Sequence, residues 1–195
     1  MNLLLAAKIV WAVGVVGWYV IRIPFERKVK REKVVDARHR VRELVLLSCS
    51  TCGLGIVPLL WATSRVFNFA NYPYSAVQLV LGALTFAFAL WLFRRTHKDL
   101  GKNWSVTLEI KDSHKLITGG VYRYVRHPMY SAFFLWALAQ LILIPNWIAG
   151  PAGLIGFGIL YAFRVGREEA MMLDTFGDEY RAYMARTARI VPGIY

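Results

Sequence analysis

The chain has 195 residues, 57% of them hydrophobic and 18% charged, and a net charge of +12; its mean hydropathy is +0.41. That length suits one domain, and the apolar content excludes an ordinary soluble globule. The positive charge is gathered in segments 22–43, 94–128 and 164–195, which hold 22 of the 24 Lys and Arg, a pattern of membrane topology rather than a nucleic-acid footprint.

A bilayer-spanning helix needs about 20 predominantly apolar residues. The first candidate is 3–21, LLLAAKIVWAVGVVGWYVI. No basic stretch precedes it, no small-x-small cleavage site follows, and it runs into WYVIRIPFERK, so a retained helix is expected rather than a signal peptide. The mixed-charge stretch 22–43 reads as a solvated or headgroup-level connector, helical at its end. A second span covers 44–62 and contains CSTC, with Cys49 and Cys52. A CxxC spacing occurs in redox and metal sites. Inside an apolar run, with no second pair and no nearby histidine, it fits small residues packing a helix interface. The aromatic-rich loop 64–74, SRVFNFANYPY, suits a membrane border, and 75–93 forms a third span. The apolar block 129–163 is broken by Pro145-Asn146 into halves of sixteen residues (129–144) and seventeen (147–163), near the lower limit for spanning, which predicts a tight helical hairpin. Five crossings with the N-terminus outside put all three basic segments on the cytoplasmic side, where they also attract anionic lipid. The expected fold class is therefore an all-α integral membrane protein of about five transmembrane helices, with 1–195 as a single domain.

Most of the His, Asp and Glu fall in 94–128 and 164–187. The first carries turn signals at Gly101, Asp112-Ser113 and Gly119-Gly120, hence irregular backbone beside the membrane, tolerated where it is buried in protein or lines a wet cavity. The second reads as a helix continuing from the last span and broken near Gly177, with Asp178 placed to cap a short further helix. Two polar pieces flanking a short hairpin predict one cytosol-facing pocket.

In RHPMY, 126–130, the helix is expected to begin at Pro128, because proline suits a first helical position and disfavours helical geometry in the residue before it. The amides at that helix start make an anion-friendly corner, to which Arg126 and His127 add donors; equally, both residues could only anchor the helix among headgroups. In YAFRVGREE, 161–169, Arg164 ends the apolar run and Glu168, four residues on, shares its helical face. An arginine at bilayer depth is a functional candidate by default, its fork suits a carboxylate or phosphate, and Glu168 or Glu169 suits a cation. The plain alternative is an i,i+4 ion pair worth about 0.3–0.5 kcal/mol. Tyr122, Tyr124, Tyr130, Trp104, Tyr180 and Tyr183 crowd the same segments and suit a flat base or a sulfonium, or simply a membrane belt. There is no G-x-G-x-x-G or P-loop pattern, no metal-ligand spacing among His39, His97, His114 and His127, and no convincing Ser-His-Asp arrangement.

The segments HKDLGKNWS (97–105), DSHKLITGGVYRYVRHPMY (112–130) and FRVGREEAMMLDTFGDEYRAYMARTARIVP (163–192) resemble, in order and spacing, the isoprenylcysteine carboxyl methyltransferase family. The resemblance covers roughly the C-terminal half. RHPxY alone is shared with other membrane methyltransferases, including phospholipid N-methyltransferases, whereas RHPxY followed by EE…FGxEYxxY…P is far more specific. It implies an S-adenosylmethionine-dependent membrane enzyme with a cytosol-facing cofactor pocket and a lateral opening for a lipophilic or prenylated substrate. It places cofactor contacts on His114, Lys115, Leu116, Ile117, Tyr122, His127, Pro128, Met129, Tyr130 and Glu168, and a substrate-side catalytic arginine on Arg164, with no metal. Ala132 stands where relatives often carry glycine. The implied acceptor is the carboxylate of a prenyl-cysteine-like amphiphile, already ionised at neutral pH and needing in-line positioning rather than a strong base. The alternatives are a phospholipid amine, for which no general base stands out near Arg164, a thiol and, more remotely, a non-catalytic scaffold or transporter.

Overall fold

The computed structural model describes residues 2–29, 36–37, 40–101, 109–110 and 116–194. Helix α1, Leu3–Val29, carries Pro24 inside it and so extends beyond the apolar run 3–21 into the charged connector. Helix α2, Arg40–Thr51, passes through a π-helical turn, Cys52–Ile56, into α3, Val57–Thr63. Pro58 opens α3 and has no N–H to donate, and the turn before it is widened, Val57 N–H reaching Cys52 O. Helix α4, Ala76–Leu100, starts in a capping box of Ser75 and Gln78. Helix α5, Pro128–Leu143, begins at the expected proline. Helix α6, Ala149–Arg186, is non-helical only at Gly177 (φ 51°, ψ −121°), a backbone state that favours glycine. The expected break is therefore at Gly177 itself. Asp178 does not cap the following turn; its carboxylate accepts from Arg181 Nη1 at 2.5 Å.

Four helical segments, Leu3–Arg27, Val41–Thr63, Ala76–Leu100 and Ala149–Arg186, are long and apolar enough to cross a membrane, and Pro128–Leu143 is a shorter apolar helix. At 1.5 Å per residue α5 reaches about 24 Å, less than the roughly 30 Å hydrocarbon core, and forms the short arm of the hairpin. The protein is an all-helical integral membrane protein; the regular β structure among the described residues is one two-residue antiparallel pairing, β1 (Asp36–Ala37) with β2 (Glu109–Ile110).

One end of the bundle is locked by Asn146, fully buried at the hairpin turn. Its Oδ1 accepts from Ile148 N and Ala149 N at 3.0 and 2.9 Å, and its Nδ2 donates to Phe67 O and Asn71 Oδ1 at 2.7 and 2.8 Å. Between the ends, helices in lipid gain little from apolar burial and depend on close packing of small residues. A Cβ on Gly53 would lie 2.2 Å from Ala152 O, and one on Gly156 would lie 2.4 Å from Cys49 O. The CSTC region does pack a helix interface, chiefly through backbone and glycine: Cys49 is half-buried, Cys52 is exposed, and both are free thiols. This contact presses α2 onto α6 and sets the register that matters at the charged end.

Candidate active site

The last turn of α4 begins the charged end. Asp99 Oδ2 accepts Val121 N–H at 2.9 Å and pairs with Arg95 at 3.2 Å. A Cβ on Gly120, whose φ is +63°, would meet the Asp99 carboxylate at 2.1 Å, so the Gly119-Gly120 turn satisfies both a left-handed backbone and a close approach. Leu116 and Ile117 lead into that turn half-buried. A 3-10 turn, Gly120–Arg123, then buries Tyr122, whose carbonyl accepts Tyr183 Oη at 2.5 Å. Burial pushes the Tyr122 hydroxyl well above its ordinary range, and the charge of Glu168 pushes the same way. Tyr124 points outward, 52% exposed.

Residues 125–127 pair with the C-terminal segment beyond α6, Val125 forming a parallel bridge with Ala188. Arg126 N–H donates to Ala188 O at 2.8 Å and His127 N–H to Arg189 O at 2.9 Å, and Ser131 Oγ donates to Ile190 O at 2.5 Å. This strap is fastened by one buried carboxylate. Glu169, its side chain 6% exposed, accepts from Arg126 Nε at 3.1 Å, from Arg189 Nη2 at 2.7 Å, and lies 3.2 Å from His127 Nε2. Arg126 also donates to the carbonyls of Met184 and Thr187. Its guanidinium therefore serves the fold, and neither an anion corner nor headgroup anchoring describes it. Glu169 is equally committed, which leaves Glu168 as the available carboxylate.

Glu168 lies on the adjacent face, its side chain one-third exposed. It accepts from Tyr130 Oη at 2.6 Å and lies 3.8 Å from His127 Nδ1. Tyr130, His127 and Pro128 are buried at the start of α5, and Met129 is half-buried. One turn before Glu168 on α6 stands Arg164, 9% exposed, and Nη1 of Arg164 is 3.6 Å from Glu43 Oε2. Glu43 is on the inward stripe of α2 with Leu46 and Ser50, a spacing of three and four residues that puts them on one helical face. The corner thus collects Tyr122, His127, Pro128, Met129, Tyr130, Arg164 and Glu168. His114 and Lys115 lie outside the described residues. Glu43, Asp99 and Arg189 were not singled out from the sequence as parts of this arrangement, and Glu169, read there as a candidate for holding a cation, instead fastens the strap; the 43/46/50 spacing was the one pattern that could have pointed to Glu43.

Comparison with known proteins places this geometry in a family. A model of the isoprenylcysteine carboxyl methyltransferase (ICMT) family matches residues 79–174. Protein-S-isoprenylcysteine O-methyltransferase of Dictyostelium discoideum is 30% identical over 134 residues, 66% of this chain and 52% of that protein. The Schizosaccharomyces pombe enzyme of the same name is 35% identical over 137 residues, 66% of this chain and 58% of its own length. A probable protein-S-isoprenylcysteine O-methyltransferase of Oryza sativa subsp. indica is 34% identical over 136 residues, covering 70% of this chain and 68% of that one. The chain thus spans a little over half the length of the first two relatives. The solved structure of the eukaryotic intramembrane Ras methyltransferase ICMT shares the fold, with a TM-score of 0.53 over 80% of this chain and 54% of its own, at 22% identity. The chain belongs to the isoprenylcysteine carboxyl methyltransferase family.

Proposed function

We propose that this family member transfers a methyl group from S-adenosylmethionine to the carboxylate of a prenyl-cysteine-like amphiphile within the membrane. The observation that carries this reading is the placement of a buried guanidinium, Arg164, one helical turn from a partly exposed carboxylate, Glu168, held by Tyr130 Oη at 2.6 Å. The relatives' printed names support the same chemistry.

The residues of the corner fit the cofactor. Glu168 is the carboxylate left accessible for its ammonium, the N-terminal amides of α5 suit its carboxylate, and Tyr122, Tyr130 and the His127 ring offer aromatic faces to a sulfonium or a base. Leu116, Ile117 and Met129 line the approach, with His114 and Lys115 the family's further contacts. Bound there, S-adenosylmethionine supplies a methyl group on positively charged sulfur, the carbon–sulfur bond breaking as a carboxylate oxygen bonds to that carbon, with no proton released. Arg164 holds the acceptor carboxylate in line and neutralises part of its charge. Tyr130 fixes the rotamer of Glu168, and Glu169 keeps the His127 wall against the strap. By the positive-inside bias the charged end faces the cytoplasm, and the α2–α6 side of Arg164 gives the lipophilic tail its way in from the bilayer.

Calorimetry with S-adenosylmethionine and S-adenosylhomocysteine on the detergent-purified protein tests the pocket. Micromolar binding, lost in Glu168→Gln and retained in Arg164→Ala, is the expected result. Absence of binding to well-folded protein, or affinity unchanged in Glu168→Gln, refutes it.

A further inference from the structure

The outward face of α4 changes from apolar to basic within one turn. Leu84, Phe88 and Trp91 are 63%, 52% and 56% exposed, and the rings of Phe88 and Trp91 stack with centroids 5.4 Å apart. Directly beyond them Arg94, Arg95 and Lys98 are exposed as well. At three, four and seven residues from Trp91, they continue the same side of the helix. No Asp or Glu occurs from 76 to 98. Asp99, the acid of the last turn, faces inward: its side chain is 12% exposed and accepts Val121 N–H at 2.9 Å. Arg95 pairs with it at 3.2 Å. Arg94 and Lys98 make no hydrogen bond or ion pair among the described residues.

Two cations four residues apart on a helix repel each other. The negative end of the helix dipole offsets this for Lys98, which lies in the last turn, but Arg94 lies a turn earlier. Several arginines elsewhere at the charged end are matched by acids: Arg22 by Glu26, Arg126 and Arg189 by Glu169, and Arg181 by Asp178. For Arg94 and Lys98 the described residues supply no such counter-charge.

We infer that this face of α4 binds an anionic phospholipid, its phosphodiester lying between Arg94 and Lys98 and its acyl chains along Phe88 and Leu84. The inference goes beyond the proposed reaction and does not depend on it. Arg94 and Lys98 are about 6 Å apart along the helix axis, a gap that one phosphate spans with a charge-assisted hydrogen bond to each side chain. Trp91 precedes Arg94 by about 4.5 Å along the axis, which sets its indole between chains and headgroups, where tryptophan is enriched. A zwitterionic headgroup would bring an ammonium of its own among three cations, so the face selects net negative charge.

Quenching of tryptophan fluorescence by lipids with dibrominated chains tests the site. The protein is reconstituted in dioleoylphosphatidylcholine bilayers and titrated with brominated phosphatidylglycerol or brominated phosphatidylcholine. The chain has seven tryptophans, so each protein is read against its own Trp91→Phe counterpart, and the difference reports the surroundings of Trp91. A basic residue near an anionic surface contributes about fivefold, and the wild type is expected to prefer phosphatidylglycerol at Trp91 by about tenfold or more. Neutralising both cations, Arg94→Gln with Lys98→Gln, should reduce the preference to about threefold or less, the remainder owed to Arg95. Exchanging them, Arg94→Lys with Lys98→Arg, should preserve it, as should Arg181→Gln. A wild type without preference overturns the inference, and that arm requires no variant to fold. A preference that survives the loss of both charges means that the bilayer surface, and not this face, selects the lipid, and also overturns it. Loss of the preference on adding inorganic phosphate, against chloride at equal ionic strength, shows a site for a free anion and overturns it as well.

Discussion

Glu169→Gln is the substitution that most directly tests how the charged end is held together. The wild-type carboxylate is 6% exposed and receives Arg126 Nε at 3.1 Å, Arg189 Nη2 at 2.7 Å and the contact with His127 Nε2 at 3.2 Å. Glutamine keeps one acceptor oxygen, removes the charge, and aims an NH2 group at the arginines. Hydrogen bonds to charged groups contribute about 1.5–3 kcal/mol each, and removing one partner of a buried pair costs about 3–5 kcal/mol. Arg189, 25% exposed, can turn to water and recover part of that. Arg126, 9% exposed, keeps only its bonds to the Met184 and Thr187 carbonyls. The expected net loss is about 3 kcal/mol. It should appear as a lower midpoint of tryptophan-monitored thermal unfolding in detergent, with earlier proteolytic cleavage within 187–194. Glu168→Gln is the internal control, because Glu168 is one-third exposed and fastens no part of the strap; its midpoint should move by less than about 1 kcal/mol. If Glu169→Gln behaves like that control, the carboxylate is not the fastener and the placement of His127 has another origin.

Three further outcomes follow from the same geometry. Gly156→Val puts a side chain 2.4 Å from Cys49 O and should destabilise by about 3 kcal/mol by overpacking, measured as the unfolding midpoint in detergent. Asn146→Ala removes the acceptor for Ile148 N and Ala149 N and the side-chain donor to Phe67 O and Asn71 Oδ1, a loss of about 2 kcal/mol visible in the same measurement. Tyr130→Phe deletes the 2.6 Å bond to Glu168 and should weaken S-adenosylhomocysteine binding about five- to tenfold by calorimetry, with little change in midpoint; equal affinity would show that Glu168 needs no such guide.

The parts of the fold legible in the sequence are those written in local pattern. Apolar runs gave the membrane segments, Pro128 gave a helix start, Pro145-Asn146 gave the hairpin turn, and Gly177 gave the break, because each depends on backbone geometry within a few residues. Arg164 and Glu168 stood out by a spacing of four at the edge of an apolar run. The arrangement around them did not. Glu168 and Glu169 are neighbours in sequence, yet on a helix they point about 100° apart, and only the path of the chain after Gly177 decides which one meets Arg126 and Arg189. Glu43 was hidden for another reason: it lies at the end of a stretch, 22–43, that holds nine Lys and Arg, where one more charge looks solvated. Its inward orientation depends on the Gly53–Gly156 approach two turns and more away.

The stretch matched by the family model, 79–174, contains Tyr122, His127, Tyr130, Arg164 and Glu168, but two of the devices that fix them lie outside it. Glu43 reaches Arg164 from α2 on one side, while the strap 187–190 and Tyr183 hold residues 122–131 from the other. The residues proposed to hold the cofactor and the arginine proposed to hold the acceptor are therefore supported by different elements. The strap bears on His127 and the start of α5, whereas the α2–α6 contact bears on Arg164. Damage to the strap should fall first on cofactor affinity, and damage to the α2–α6 packing first on the acceptor. On the proposed roles, substitutions on α2 should change the acceptor side while the corner built on α5 and α6 stays as it is.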